Sequence, residues 1–240
     1  MIVLFWDIDG TLVTTGRAGM YAWNDAVLEL TGHVFDLKTE IRTAGLTDYQ
    51  IAGKTFEALG LDTDPAIISP LVRRYEELLP ASLPRKAGYV LPNVREILEL
   101  FRQRGGARSY LLTGNTRGGA RAKLTYFDLV DYFQDGAFAE DAGDRSTIAC
   151  RALELARHAG PVAAGKVFVI GDTPHDIECA KAIEAKTIAV ATGGYTIEEL
   201  LDHHPWRAFA ELPPAEDFVR LLDEESAAAG SVGIGRTLSA

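Results

Sequence analysis
The sequence predicts an α/β protein, a doubly wound parallel sheet carrying an inserted α-helical subdomain, and three observations carry that expectation. Short, continuously apolar runs recur along the chain, and each ends in a polar or glycine-containing loop. The segments between them carry apolar residues at helical spacing. One long stretch, residues 17–82, holds helical periodicity and no strand-like run. Strand–helix alternation is the signature of a Rossmann-like core, and the helical stretch is too long for a simple crossover.

The apolar runs lie at residues 2–6, 109–112, 167–170 and 187–190, with a weaker one at 137–139. Their unbroken apolar character predicts strands covered on both faces, as in parallel sheets. Val94, Ile97, Leu98 and Phe101 share one helix face, and Ile148, Ala152, Leu155 and Ala159 share another. Residues 1–16 and 83–225 make the predicted core. Within 17–82 three stripes predict three helices: Met20, Trp23, Val27 and Leu30; Tyr49, Ala52, Phe56 and Leu59; Ile67, Leu71, Tyr75 and Leu78. Pro80, Pro84 and Gly88 mark the return to the core. Residues 226–240 are small and polar without periodicity, which predicts a disordered tail.

Composition narrows the function. Lys and Arg number 24 against 34 Asp and Glu, a net charge of -10. That balance argues against nucleic acid or an anionic membrane as partner. Cys150 and Cys179 show no ligand spacing and read as small buried residues of a reduced protein. His33, His158, His203 and His204 likewise show none. The apolar N-terminus is too short for a signal sequence, and no run approaches the ~20 apolar residues of a membrane span. A cytoplasmic protein is expected, its oligomeric state open.

Chemistry concentrates at the ends of the predicted strands, where open α/β sheets bind ligands. The first strand runs into D-I-D-G-T-L, which places Asp7 and Asp9 two residues apart. The run at 167–170 leads into G-D-T-P-H-D, with Asp172 and Asp176. Two parallel strands that both end in paired acids can form one carboxylate cluster. Without His or Cys it suits a hard, oxygen-binding ion, and Mg²⁺ is the usual choice beside phosphate. L-L-T-G-N-T places the Thr113 hydroxyl ahead of loop N–H groups suited to phosphate oxygens. Carboxylates plus phosphate require a cation. Arg145, opening a helix behind the N-cap candidate Asp144, is favoured over Lys123, which falls on what reads as an ordinary helix face.

These four motifs, in this order, resemble those of the haloacid dehalogenase-like (HAD) hydrolase superfamily, and the helical stretch resembles its C1-type cap. The likeness spans about residues 1–223 and is strongest to the phosphoglycolate-phosphatase-like group. It implies a phosphatase acting on a small phosphorylated metabolite through an aspartyl-phosphate. Asp7 is then the nucleophile, and Asp9 the acid that protonates the leaving alcohol and later activates water. Mg²⁺ is held by Asp7, the Asp9 backbone carbonyl and Asp172, with Asp176 supporting them from behind. Gly10, Thr113, Gly114, Asn115 and Arg145 bind phosphoryl oxygens. Where many cap-bearing relatives have a Lys-Pro-x-Pro-like segment, this chain has G-D-R-S-T. An acid at position 9 favours esters over halides, since an alkoxide needs a proton. A phosphomutase of the β-phosphoglucomutase type shares all these motifs and stands as the alternative; a non-catalytic binding protein on the same fold is a third reading.

Substrate choice falls to the helical stretch. Arg17, Thr47, Asp48 and Gln50 are its polar candidates, with Gly45 freeing the turn between its helices, and they suggest a small hydrophilic ester such as 2-phosphoglycolate. Hinges are expected at residues 14–16 and 84–88.

Overall fold
A computed structural model describes residues 1–140 and 144–232 of the chain. Strand β1 (Ile2–Trp6) leads through the short β2 (Val13–Thr14) into four helices, α1 (Ala18–Thr31), α2 (Leu37–Glu40), α3 (Asp48–Ala58) and α4 (Pro65–Ser82). The short β3 (Tyr89–Val90) brings the chain back. Then follow α5 (Val94–Arg104), β4 (Ala107–Leu112), α6 (Arg117–Tyr126), β5 (Gly136–Ala137), α7 (Arg145–His158) and β6 (Val167–Gly171). The chain closes with α8 (Pro174–Ala182), β7 (Lys186–Val190), α9 (Ile197–Leu201), β8 (Arg207–Phe209) and α10 (Ala215–Val232).

Among the described residues, six strands form one parallel sheet in the order β5-β4-β1-β6-β7-β8. Alternate residues of β1 serve opposite faces. Leu4 and Trp6 pack with α5, α6 and α10, through Phe101, Leu124 and Phe218. Val3 and Phe5 pack with α7 and α8, through Ile148, Ala152 and Cys179. Each large side chain so buried contributes roughly 1.5–3 kcal/mol. Covering both faces is what demands the continuous apolar runs.

Helices α1 to α4 enclose a third cluster, centred on Trp23, Phe56, Leu71 and Tyr75. The insert joins the core through a two-stranded antiparallel ribbon in which Val13 pairs with Val90 and Thr14 with Tyr89. Gly88 fits this ribbon because a Cβ there would lie 2.6 Å from the Thr14 carbonyl oxygen and 2.8 Å from the Phe127 ring.

Several local expectations change. The stripe of α4 keeps Leu71 and Tyr75 but shifts at its ends: Ile67 is exposed and Leu78 half-buried, while Ile68, Val72 and Leu79 are buried. Leu30 is exposed, and Ala22 and Ala26 fill the α1 interface instead. Pro80 lies inside α4 rather than ending it. Cys150 is exposed; only Cys179 is buried. Helix α10 continues to Val232 through part of the expected disordered tail, and Ser226 is buried. The Ala-rich sequence there is a strong helix former, and it extends a helix already anchored by Phe218 and Leu222. Residues 233–240 of that expectation lie outside the described residues. No helix among the described residues is long and apolar enough to cross a membrane.

Candidate active site
The carboxyl ends of β1, β4 and β6 and the loop after β7 open onto a cavity of about 380 Å³ that the helical insert shares. The Asp7 N–H continues the β1–β6 ladder by donating to the Ile170 carbonyl at 3.0 Å. Its buried carboxylate therefore leaves a fixed strand end. The chain turns at once: the Leu12 and Val13 N–H groups both donate back to the Ile8 carbonyl, at 2.9 and 3.0 Å. Gly10 makes the turn possible with φ +83°, and any Cβ on it would sit 2.5 Å from a carboxylate oxygen of Asp172.

Asp172 leaves the end of β6, and its Oδ1 accepts from the Thr11 hydroxyl at 3.3 Å. Asp176 sits in the first turn of α8 and is buried. One of its oxygens accepts the Thr173 N–H at 3.0 Å and the Thr173 hydroxyl at 2.7 Å; the other pairs with Arg145. Asp7, Asp172 and Asp176 each offer an oxygen within 4.8 Å of the others. Asp7 and Asp172 line the cavity and Asp176 stands behind them.

Three buried acids around one arginine leave the cluster short of positive charge. Burial, reinforced by Asp176, pushes the Asp7 carboxyl up to about 7, against the pull of Arg145. Burial, with Asp176 and Asp7 adding to it, holds Asp172 well above the ordinary carboxylate range. Hard oxygen donors in a charge-deficient pocket fit a divalent metal such as Mg²⁺.

Thr113 directly follows β4, and its hydroxyl oxygen accepts from the Asn115 N–H at 3.3 Å and the Asn115 amide at 2.8 Å. With Gly114 these residues line the cavity. The side chain of Thr116 caps α6, accepting from the Gly119 N–H at 3.2 Å. Arg145 opens α7, whose N-cap Asp144 accepts from the Thr147 N–H at 2.8 Å. Its buried guanidinium bonds Asp176 and stands 3.6 Å from Asp7. A cation at a helix N-terminus opposes the dipole, and these two acids offset that.

Lys123 corrects the expectation of a solvated helix face. Its ammonium is buried 2.5 Å from both Asp9 Oδ2 and Asn115 Oδ1. Both cations therefore reach the site and divide it, Arg145 with Asp7 and Asp176, Lys123 with Asp9. The sequence held a signal: Lys123 falls within the buried stripe of Ala120 and Leu124, where a lysine requires a partner.

Of the insert's candidates, Arg17 lines the cavity and is exposed. Thr47 does not line it. Its hydroxyl caps α3 by accepting from the Gln50 N–H at 3.1 Å, and the Gln50 side chain returns the bond to the Thr47 N–H at 3.0 Å. That capping box occupies both residues. Asp48 instead lines the cavity and ties the insert to the loop after β4. Its N–H donates to the Gly114 carbonyl at 2.9 Å, and its carboxylate accepts the Thr116 N–H at 2.8 Å. Burial pushes the Asp48 carboxyl up to about 6. Gly45 has φ +79°, and a Cβ there would collide with the His175 ring.

Sequence reasoning missed the loop after β7, where Thr192, Gly193 and Gly194 line the cavity. The Thr192 hydroxyl donates to the Gly10 carbonyl at 2.5 Å. A Cβ on Gly193 would overlap the Asp172 carboxylate, so glycine alone lets that loop close on the acid. The T-G-G run directly after an apolar strand was the available signal.

The model of the family described as haloacid dehalogenase-like hydrolase matches residues 3–190. The chain is 27% identical over 210 residues to the protein named Probable phosphatase IndB from Dickeya dadantii (strain 3937), covering 85% of this chain and 86% of that one. It superimposes on a hydrolase from Pseudomonas syringae with a TM-score of 0.69 and 19% identity, over 93% of this chain and 99% of the other. A structure described as a predicted phosphoglycolate phosphatase from Haemophilus somnus 129PT gives a TM-score of 0.70 at 16% identity, over 92% and 97%.

Proposed function
The chain belongs to the haloacid dehalogenase-like hydrolases, and from that premise we propose that it is a Mg²⁺-dependent phosphomonoesterase working through an aspartyl-phosphate. One observation carries the reading: Asp7 and Asp172, from two strand ends, face the same cavity as Asp9, Thr113 and Arg145. Asp7 attacks phosphorus as the bond to the leaving oxygen breaks, and Asp9 delivers its proton to that oxygen. Asp9 then takes a proton from water as the water attacks the aspartyl-phosphate, which frees phosphate and restores Asp7. Asp9 suits the exchange because its side chain is 43% exposed, with Lys123 and Asn115 fixing one oxygen and leaving the other to serve. Mg²⁺, held by Asp7, the Asp9 carbonyl and Asp172 with Asp176 behind, would supply the positive charge that keeps both acids ionised beside a phosphate dianion. Thr113, Asn115 and Arg145 hold the phosphoryl oxygens.

The test is phosphate release from a panel of phosphomonoesters with Mg²⁺ and with chelator, for the wild type and Asp7→Asn. Release should require the metal and fall to background in the variant. Metal-independent release, or full activity in Asp7→Asn, would sink the reading.

A further inference from the structure
The two ends of the cavity differ in character, and the insert end bears on the substrate. Resting on the phosphomonoesterase reading, we propose that the alcohol half of the substrate is a neutral, apolar-bodied group, aromatic or alicyclic, rather than a two-carbon acid such as glycolate. Away from the carboxylates the wall carries the large apolar or aromatic side chains Met20, Trp23, Leu37, Leu46, Ile51 and Tyr75, from all four helices of the insert and the loop before α3. Thr14, Thr15 and Thr43 stand beside them. The Trp23 and Tyr75 rings lie 5.0 Å apart, tilted by 58°. Trp23 is almost wholly buried and spends its N–H on the Thr55 hydroxyl at 3.1 Å, so it backs the wall without turning a polar group toward the cavity. At about 380 Å³ the cavity falls among pockets of ~300–1,000 Å³ that enclose ligands well beyond two carbons.

Charge excludes the acidic alternative. Lys123 is committed to Asp9 and Asn115, and Arg145, beside Asp176 and Asp7, serves the phosphoryl end of the cavity. Arg17 is the remaining cation on the wall, and it is exposed, where solvent screens it. The buried carboxylate facing the cavity from the insert is Asp48. A glycolate carboxylate would meet that acid instead of a partner. Of the four polar side chains that suggested a hydrophilic ester, Thr47 and Gln50 are held in the α3 capping box, which leaves the exposed Arg17 and the acid Asp48 on the wall.

The experiment compares benzyl phosphate, 2-phosphoglycolate and glycerol 3-phosphate, all with alkoxide leaving groups, as substrates of the Mg²⁺-loaded protein. It also measures their binding to Asp7→Asn through the thermal shift each produces. Benzyl phosphate should exceed 2-phosphoglycolate in kcat/KM on the order of 100-fold, the scale on which apolar pockets discriminate, and should give the larger thermal shift. Met20→Lys and Leu46→Lys, at half-buried positions, should each narrow that ratio by about 10-fold or more. Equal or better use and binding of 2-phosphoglycolate would overturn the proposal while leaving the phosphatase reading intact. Absence of phosphate release from every ester would overturn the phosphatase reading itself, and the binding comparison would still decide the ligand class.

Discussion
At its core end the cavity is walled by acids that leave the sheet directly, as Asp7 does one residue beyond β1 with its N–H still in the ladder. At the insert end the wall comes from side chains on α1 to α4, set by how the four helices pack around Trp23 and Tyr75. Hydrogen-bonded strand ends fix the position of a reacting oxygen closely. Packed helices define a volume, which side-chain exchange can reshape without moving the chemistry. The difference teaches a division of labour: charge and geometry come from the sheet, shape from the insert.

That division has consequences of unequal size. Asp9→Asn strikes the sheet end alone and should lower turnover of alkyl phosphates by ~10²–10⁴-fold. With 4-nitrophenyl phosphate, whose leaving group needs no proton, the first step should be spared and the loss smaller; equal losses would mean that Asp9 does not protonate the leaving group. Trp23→Ala strikes the insert alone. Emptying that fully buried site should cost about 3–5 kcal/mol, read by denaturant unfolding, while the wild-type metal dependence of phosphate release survives in the folded fraction. Gly88→Ala strikes the junction, overpacking the ribbon by about 1–3 kcal/mol; kcat should fall more than the affinity for inorganic phosphate. If kcat is unchanged, the ribbon is not a hinge.

The smallest expected effect is on pH dependence. Asp7 and Asp172 bind protons more tightly folded than unfolded, because burial disfavours their charged forms. Folding of chelated protein therefore takes up protons above the unfolded value of 3.8, and stability falls as pH rises through about 7. The melting temperature in chelator should thus drop between pH 5.5 and 7.5, and saturating Mg²⁺ should abolish or reverse the slope. A flat profile in chelator would mean that the cluster is not strained by its own charge.

Legibility in the sequence followed the same divide. The β1 boundaries, Ile2–Trp6, could be read directly, since an unbroken apolar run admits little else. The acids of D-I-D-G and G-D-T-P-H-D stood out because each pair is close in the chain. β8 escaped because it has three residues with an exposed Arg207 and no apolar run. Lys123 escaped because its partners, Asp9 and Asn115, come from other segments, and the lysine looks like a surface residue until the fold buries it. Thr47 misled because a hydroxyl ahead of a helix serves equally as ligand or as cap, and only its hydrogen bonds to Gln50 decide.

The β2–β3 ribbon bears on how the chain assembles. Val13 and Val90 are neighbours, so the insert enters and leaves the core at nearly one point. Pairing β1 with β4, where Ile2 meets Ala107, would otherwise require closing the whole intervening length as a loose loop. Once the ribbon forms, that length no longer counts: loop-closure entropy for the central sheet is set by a short circuit through residues 13 and 90. The insert behaves topologically as a side branch. Its replacement by a tight turn between Thr14 and Tyr89 should leave a sheet that still folds, with Asp7 and Asp172 still facing each other.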